Sequence, residues 1–246
     1  MKRDKIIVAV VFSVAILASV WVGGIYLNKA RGHAKTVSVV GLAERDFVSD
    51  LIVWKFSYSV VNADLKAGYA DIKKKNDVVR NYLKKKGITD DETVFYAIES
   101  SRETTYHWDR EAQRGYETFS GYRLSQEVRI ESNDVDKVEQ ISREVSDLLD
   151  EDIEMGYSNL SFYYTKLSEL KVEMLAEATQ DARNRAQTIA KNAGSHLGAL
   201  QVANMGVFQI TAPNSNDEDY SWGGTFNTSS KRKRASINMR LTYSVR

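Results

Sequence analysis

The stretch Ile6–Asn28, IIVAVVFSVAILASVWVGGIYLN, carries no charged residue and precedes a body that mixes polar and apolar positions to the end of the 246-residue chain. A bilayer core takes about 20 apolar residues of helix, whereas the apolar part of a secretory signal spans only about 7–15. Residues 6–28 are therefore expected to be an uncleaved anchor, with Trp21 and Tyr26 placed as interfacial aromatics. Ala18-Ser19-Val20 keeps open the alternative of a cleaved signal peptide and a soluble mature protein. Lys2, Arg3 and Lys5 on one flank are balanced by Lys29, Arg31 and Lys35 on the other, so loop charge barely votes on orientation. Export of the C-terminal body follows from a short basic start ahead of an apolar segment. The expected division is a stub, anchor and linker over 1–35 and one folded domain over 36–246.

Cysteine is absent, which removes disulfides, thiolate nucleophiles and cysteine metal sites together. Lys plus Arg number 34 against 33 for Asp plus Glu, so no global field points to nucleic acid or to an acidic substrate.

The body opens on Thr36-Val37-Ser38-Val39-Val40-Gly41. After a polar break, Ile52, Trp54, Phe56, Tyr58 and Val60 alternate with more polar neighbours, the period of a half-buried strand. From Asn62 the period becomes helical through Leu65, Tyr69, Ile72, Val79 and Leu83, until Gly87 stops it after Lys84-Lys85-Lys86. Two strands are expected next, Thr93 to about Trp108 and Tyr116 to Ile130, joined by a charged turn. The second is too polar in its middle to be deeply buried, which predicts a sheet face that stays wet or meets another subunit. Ser132-Asn133-Asp134 supplies N-cap chemistry for a helix with the stripe Val138, Ile141, Val145 and Leu148 or Leu149. A strand over about 157–164 precedes the longest helix, about 165–197. Ala178, Ala182, Ala186, Ala190 and Ala193 lie along that helix at spacings that let another backbone approach closely. Strands over 202–211 and 235–245 flank the loop 213–230. The predicted class is α+β, with paired antiparallel strands packed on three main helices in the order ββαββαβαββ behind one N-terminal transmembrane helix.

Several of these segments resemble one known family. VSVVGLAERDFVSDLIVWKFSYSV is similar to its opening strand pair, and Gly87-Ile88 with Asp90 and Thr93 to its G-I-x-x-x-D-x-x-T link. Gly121-Tyr122-Arg123 matches its G-Y strand, and LSELKVEMLAEATQDARNRAQTIAKNAGSHLGAL resembles its long alanine-rich helix. In order and spacing they match the SIMPL-domain family over essentially all of 36–246. The chain departs from that pattern at Gly41-Leu42-Ala43-Glu44, where a second glycine is usual, and in a long charged insert around Glu103 to Arg114. The resemblance implies a bacterial periplasmic or envelope-associated domain, with some members forming large ring-like or channel-like oligomers and some linked to oxidative stress. It carries over no catalytic residue.

The residues name no chemistry of their own. His33, His107 and His196 are far apart and none has a ligand spacing, and there is no G-x-S-x-G elbow or phosphate-cradling G-x-x-x-x-G-K-[ST]. Asp217-Glu218-Asp219 lacks the alternation of a calcium loop and reads as a solvated loop. Lys231-Arg232-Lys233-Arg234 is a candidate for phosphate, for that acidic loop or for anionic envelope polymer, with a solvated strand start as the plain alternative. Asn76 sits inside the apolar stripe of the first helix, so its amide is expected to tie that helix to a strand end or to another copy of the protein. Tyr220, Trp222 and Phe226 form the candidate partner surface, unless Trp222 and Phe226 fold back on their own domain. Ala178, Ala182, Ala186 and Ala190 are the candidate close-packing face.

The expectation is a non-enzymatic, cofactor-free and metal-free protein of the inner membrane, anchored through residues 6–28, with its C-terminal domain in the periplasm. It is expected to assemble with itself and to organise or bind envelope components, without nucleic acid. The alternative is a monomeric periplasmic binding module for a small molecule or peptide, with a concave apolar pocket lined by Tyr and Trp.

Overall fold

Alternation around Trp54 becomes the centre of a sheet in the structure, a computed structural model that describes residues 15–21, 35–213 and 224–246. The elements are β1 (Thr36–Val48), β2 (Leu51–Asn62), α1 (Leu65–Lys85), β3 (Thr93–Phe95), β4 (Glu99–Asp109), β5 (Arg114–Ser132), α2 (Val135–Glu144), β6 (Glu154–Tyr163), α3 (Leu167–Asn192), β7 (Leu197–Met205), β8 (Gln209–Thr211) and β9 (Arg232–Val245). A 3₁₀ turn, Val145–Glu151, extends α2. One sheet runs β3-β5-β2-β6 with β4 also on β5, and the other runs β1-β9-β7 with β8 on β9. The class is α+β with antiparallel strand pairs, as expected, and the strands divide between two sheets.

Two expected strands are each divided. The strand foreseen from Thr93 to Trp108 breaks into β3 and β4 because the Gln126 side chain, not a strand backbone, donates to the Tyr96 carbonyl at 2.7 Å. The strand foreseen over 202–211 starts earlier, at Leu197, because α3 ends at Asn192 rather than near 197, and it breaks into β7 and β8, with the Gly206 N–H held on the Asn238 carbonyl at 2.8 Å. The observed order is therefore ββαβββαβαβββ. The anchor expected at 6–28 lies outside the described residues except for 15–21, which are helical and exposed. Among the described residues no helix is long and apolar enough to cross a membrane.

The described residues form two compact units. The larger comprises Ala43–Glu177 and Val207–Ile237. Its core stacks Ile52, Trp54, Phe56 and Tyr58 of β2 with Leu124, Val128 and Ile130 of β5, under Ile72, Val79 and Leu83 of α1 and Val138 and Ile141 of α2. Asp64 caps α1 by accepting from the Ala67 N–H at 2.8 Å, and Gly87, at φ +82°, ends it in the left-handed conformation that suits glycine. Leu65 and Tyr69, read as part of the apolar stripe, are exposed; Gly68 holds that turn against Leu124 instead. Asp134 is the cap of α2, and Leu148 rather than Leu149 turns inward.

The smaller unit joins the described residues up to Leu42 with Ala178–Gly206 and Asn238–Arg246. There β9 alternates cleanly, with Met239, Leu241 and Tyr243 buried. Backbone bonds from His196 to Arg246 and back close the strand ends at 2.7 and 3.0 Å.

Candidate functional site

Asn76 is tied to strands of its own unit. Its Nδ2 donates to Gln126 Oε1 at 2.9 Å, and its Oδ1 accepts from Tyr58 Oη–H at 2.7 Å. Gln126 then donates to the Tyr96 and Glu127 carbonyls. Tyr58 and Gln126 are buried, and burial pushes the Tyr58 phenol well above its ordinary range, keeping it a neutral donor. The network fixes α1 on the middles of β2 and β5.

Ala178, Ala182, Ala186 and Ala190 are all buried, whereas Ala193 is exposed beyond the helix end. In the smaller unit the backbone of α3 lies so close to β1 that a Cβ on Gly41 would collide with the Ala178 carbonyl and the Ala182 N–H group. Asp181 accepts the Leu42 N–H at 2.9 Å and pairs with Arg185 at 2.8 Å, and these contacts hold its carboxyl below the ordinary range. The alanine face is thus filled by the protein's own strand. The opposite face of the sheet carries Val40 and Leu42 of β1 and Val202 of β7, and all three side chains are exposed. At the β7 edge Leu200 and Met205 are exposed as well, Met205 at 64%.

The basic run is engaged within the larger unit. Lys231 pairs with Asp136 and, at 2.9 Å, with Glu139. Lys233 is fully buried and donates to the Asn227 carbonyl at 2.5 Å and the Ser230 carbonyl at 2.7 Å. Arg234 grips Asp46 with two bonds of 2.6 and 2.9 Å, which lowers the aspartate's pKa. Arg232 is exposed. Of the candidate partner surface, Tyr220 and Trp222 lie outside the described residues, as do Asp217-Glu218-Asp219. Phe226 is 45% exposed and forms a bridge with Ile210.

The charged insert proves to be a ribbon. From Asp109 and Arg114 back to Glu103 and Gly121, β4 and β5 pair only with each other, and nearly every residue is exposed. Thr104, Tyr106, Trp108, Gly115, Glu117 and Phe119 share one face. Sequence reading picked out the charges here, yet Tyr106 and Trp108 already stood two apart, with Phe119 across the turn. On the other face His107 stacks on Tyr116 at 5.4 Å, and its Nε2 lies 2.9 Å from Thr118 Oγ1.

Beside the base of the ribbon, the gap between β3 and β4 leaves a groove of about 500 Å³ bordered by Tyr96, Glu99, Glu127 and Tyr157. Tyr157 Oη–H donates to Glu127 at 2.5 Å, and burial together with that carboxylate pushes the phenol up to about 12. The groove holds two tyrosines beside the carboxylates of Glu99 and Glu127, so its lining mixes apolar and polar surface.

His33 lies outside the described residues; His107 is on the ribbon and His196 is just past α3. Among the described residues no group of three or more His, Asp or Glu is placed to hold a metal ion. The family described as SIMPL, protein of unknown function (DUF541), matches residues 37–242. No curated protein matches the chain.

Proposed function

The chain belongs to the SIMPL family, and from that premise we propose a non-enzymatic, membrane-anchored protein of the bacterial envelope that assembles with copies of itself in the periplasm. In this reading residues 6–28 hold it in the inner membrane, and the assembled domain organises or binds envelope components, in a role linked to oxidative stress.

One observation carries the assembly. A sheet face with Val40, Leu42 and Val202 exposed, bounded by an open β7 edge that exposes Leu200 and Met205, is surface that a monomer seldom leaves in water. Filling of the alanine face by the chain's own strand directs assembly to this sheet rather than to α3. Light scattering or mass photometry of the full chain in detergent tests the reading. A closed particle of several protomers is expected, and a single protomer at every concentration would sink it.

The groove between Tyr96 and Tyr157 favours a second reading, a monomeric module that binds a small polar ligand or a peptide. That reading requires the one-protomer mass and a thermal stabilisation by ligand, which assembly does not.

A further inference from the structure

We propose that the β4–β5 ribbon is a docking arm whose aromatic face, Tyr106, Trp108 and Phe119, seats against the same face on a second copy of this chain; the inference rests on the self-assembly reading and names a contact for it.

A two-stranded ribbon has no core of its own and is marginal alone in water. This one leaves its sheet at Gly121, where φ is +148° and a Cβ would press on the Asn62 carbonyl, and at the register shift between Glu103 and Thr104. Its two faces differ in character. The His107 face is satisfied by a ring stack and a hydroxyl, and suits water. The other is an aromatic stripe continuous with Tyr122, which packs on the core of the unit and meets Phe119 at 5.1 Å. Two of the rings on this stripe, Phe119 and Tyr106, are already held in place. Arg102 lies over Phe119 at 5.1 Å, and Tyr106 lies across Gly115, a position where any side chain would strike its ring. Rings ordered before contact lose little entropy on binding. Yet they stay open: Tyr106 is 62% exposed, Trp108 58% and Phe119 45%.

A second copy fits this face better than a charged partner. Arg102, Arg110, Arg114 and Arg123, the last paired with Glu103, are matched by Glu103, Asp109, Glu111 and Glu117, so the arm offers neither a polyanion nor a polycation a field, and two copies do not repel. Aromatic side chains bury about 150–250 Å² each, so two arms face to face cover on the order of 600 Å² from these rings alone. Flanking threonines, Arg102 and Glu117 bring the contact toward the roughly 1,000 Å² that a specific interface needs.

The test uses the full chain in detergent, and its lack of native cysteine makes single-site cross-linking clean. Thr104→Cys, on the aromatic face, is expected to give an intermolecular dimer with a short bis-maleimide, while Lys73→Cys on α1 does not. The double variant Tyr106→Ser with Trp108→Ser is expected to keep its far-ultraviolet circular dichroism, since both rings are exposed. Its half-assembly concentration is expected to rise by about tenfold or more, as for loss of interface anchors. An unchanged particle together with no cross-link at 104 overturns the arm and leaves the assembly reading standing. A one-protomer mass for the unsubstituted chain at every concentration overturns both.

Discussion

Asn76 illustrates how a residue with a plain structural role looks functional in one dimension. An amide inside an apolar helical stripe demands partners, and Tyr58 and Gln126 supply them from two different strands. Asn76→Ala strands both a buried phenol and a buried amide oxygen, so urea unfolding is expected to show a loss of about 1–3 kcal/mol. The carboxylates act through solvent-exposed contacts and govern acid behaviour instead. Arg234 lowers the pKa of Asp46, and the Leu42 N–H and Arg185 lower that of Asp181. A carboxyl depressed in the folded state binds fewer protons there than in the unfolded chain. Its contribution is therefore present above the ordinary carboxylate range and is lost as pH falls through and below it. The double variant Asp46→Asn with Asp181→Asn is expected to lose less of its urea midpoint than the unsubstituted protein between pH 7 and about pH 3. An equal loss would remove these pairs from the account of acid unfolding.

At the scale of elements, periodicity was legible wherever one face of an element is buried by its own chain. Strand β2, helix α2 and strand β9 appear near where alternation and capping put them. The alanine run of α3 was legible as a close-packing face, but which backbone approaches it was not; Gly41 shows that it is β1. Ala182→Leu forces helix and strand apart and is expected to cost about 1–3 kcal/mol in thermal or urea unfolding, whereas Ala176→Leu on the exposed side stays within about 0.5 kcal/mol. The breaks between β3 and β4 and between β7 and β8 were illegible because a strand reading follows side-chain alternation, whereas the Gln126 side chain takes the Tyr96 carbonyl at one break and the Gly206 N–H, outside either strand, bonds to Asn238 of β9 at the other. The basic run looked like a ligand patch for a similar reason. Its partners Asp136, Glu139 and Asp46 are far away in sequence and adjacent only in the fold.

For the whole molecule, the anchor and the assembly stand or fall separately. If residues 6–28 stay attached, the full chain extracted from membranes is expected to resist alkaline washing and to show an intact N-terminus by mass spectrometry. A chain beginning near residue 21 in the soluble fraction would restore the cleaved-signal reading. By itself the sequence determined the α+β class, the caps of α1 and α2, the family and the lack of thiol chemistry, because these depend on local periodicity, capping and residue type; α3, expected to about 197, ends at Asn192, and Leu197 already belongs to β7. Only the tertiary structure decided that the alanine face is filled, that Asn76 and three of the four basic residues are engaged, and that a charged insert presents a half-exposed aromatic face. Those outcomes turn on which distant segments meet, and no local pattern encodes that.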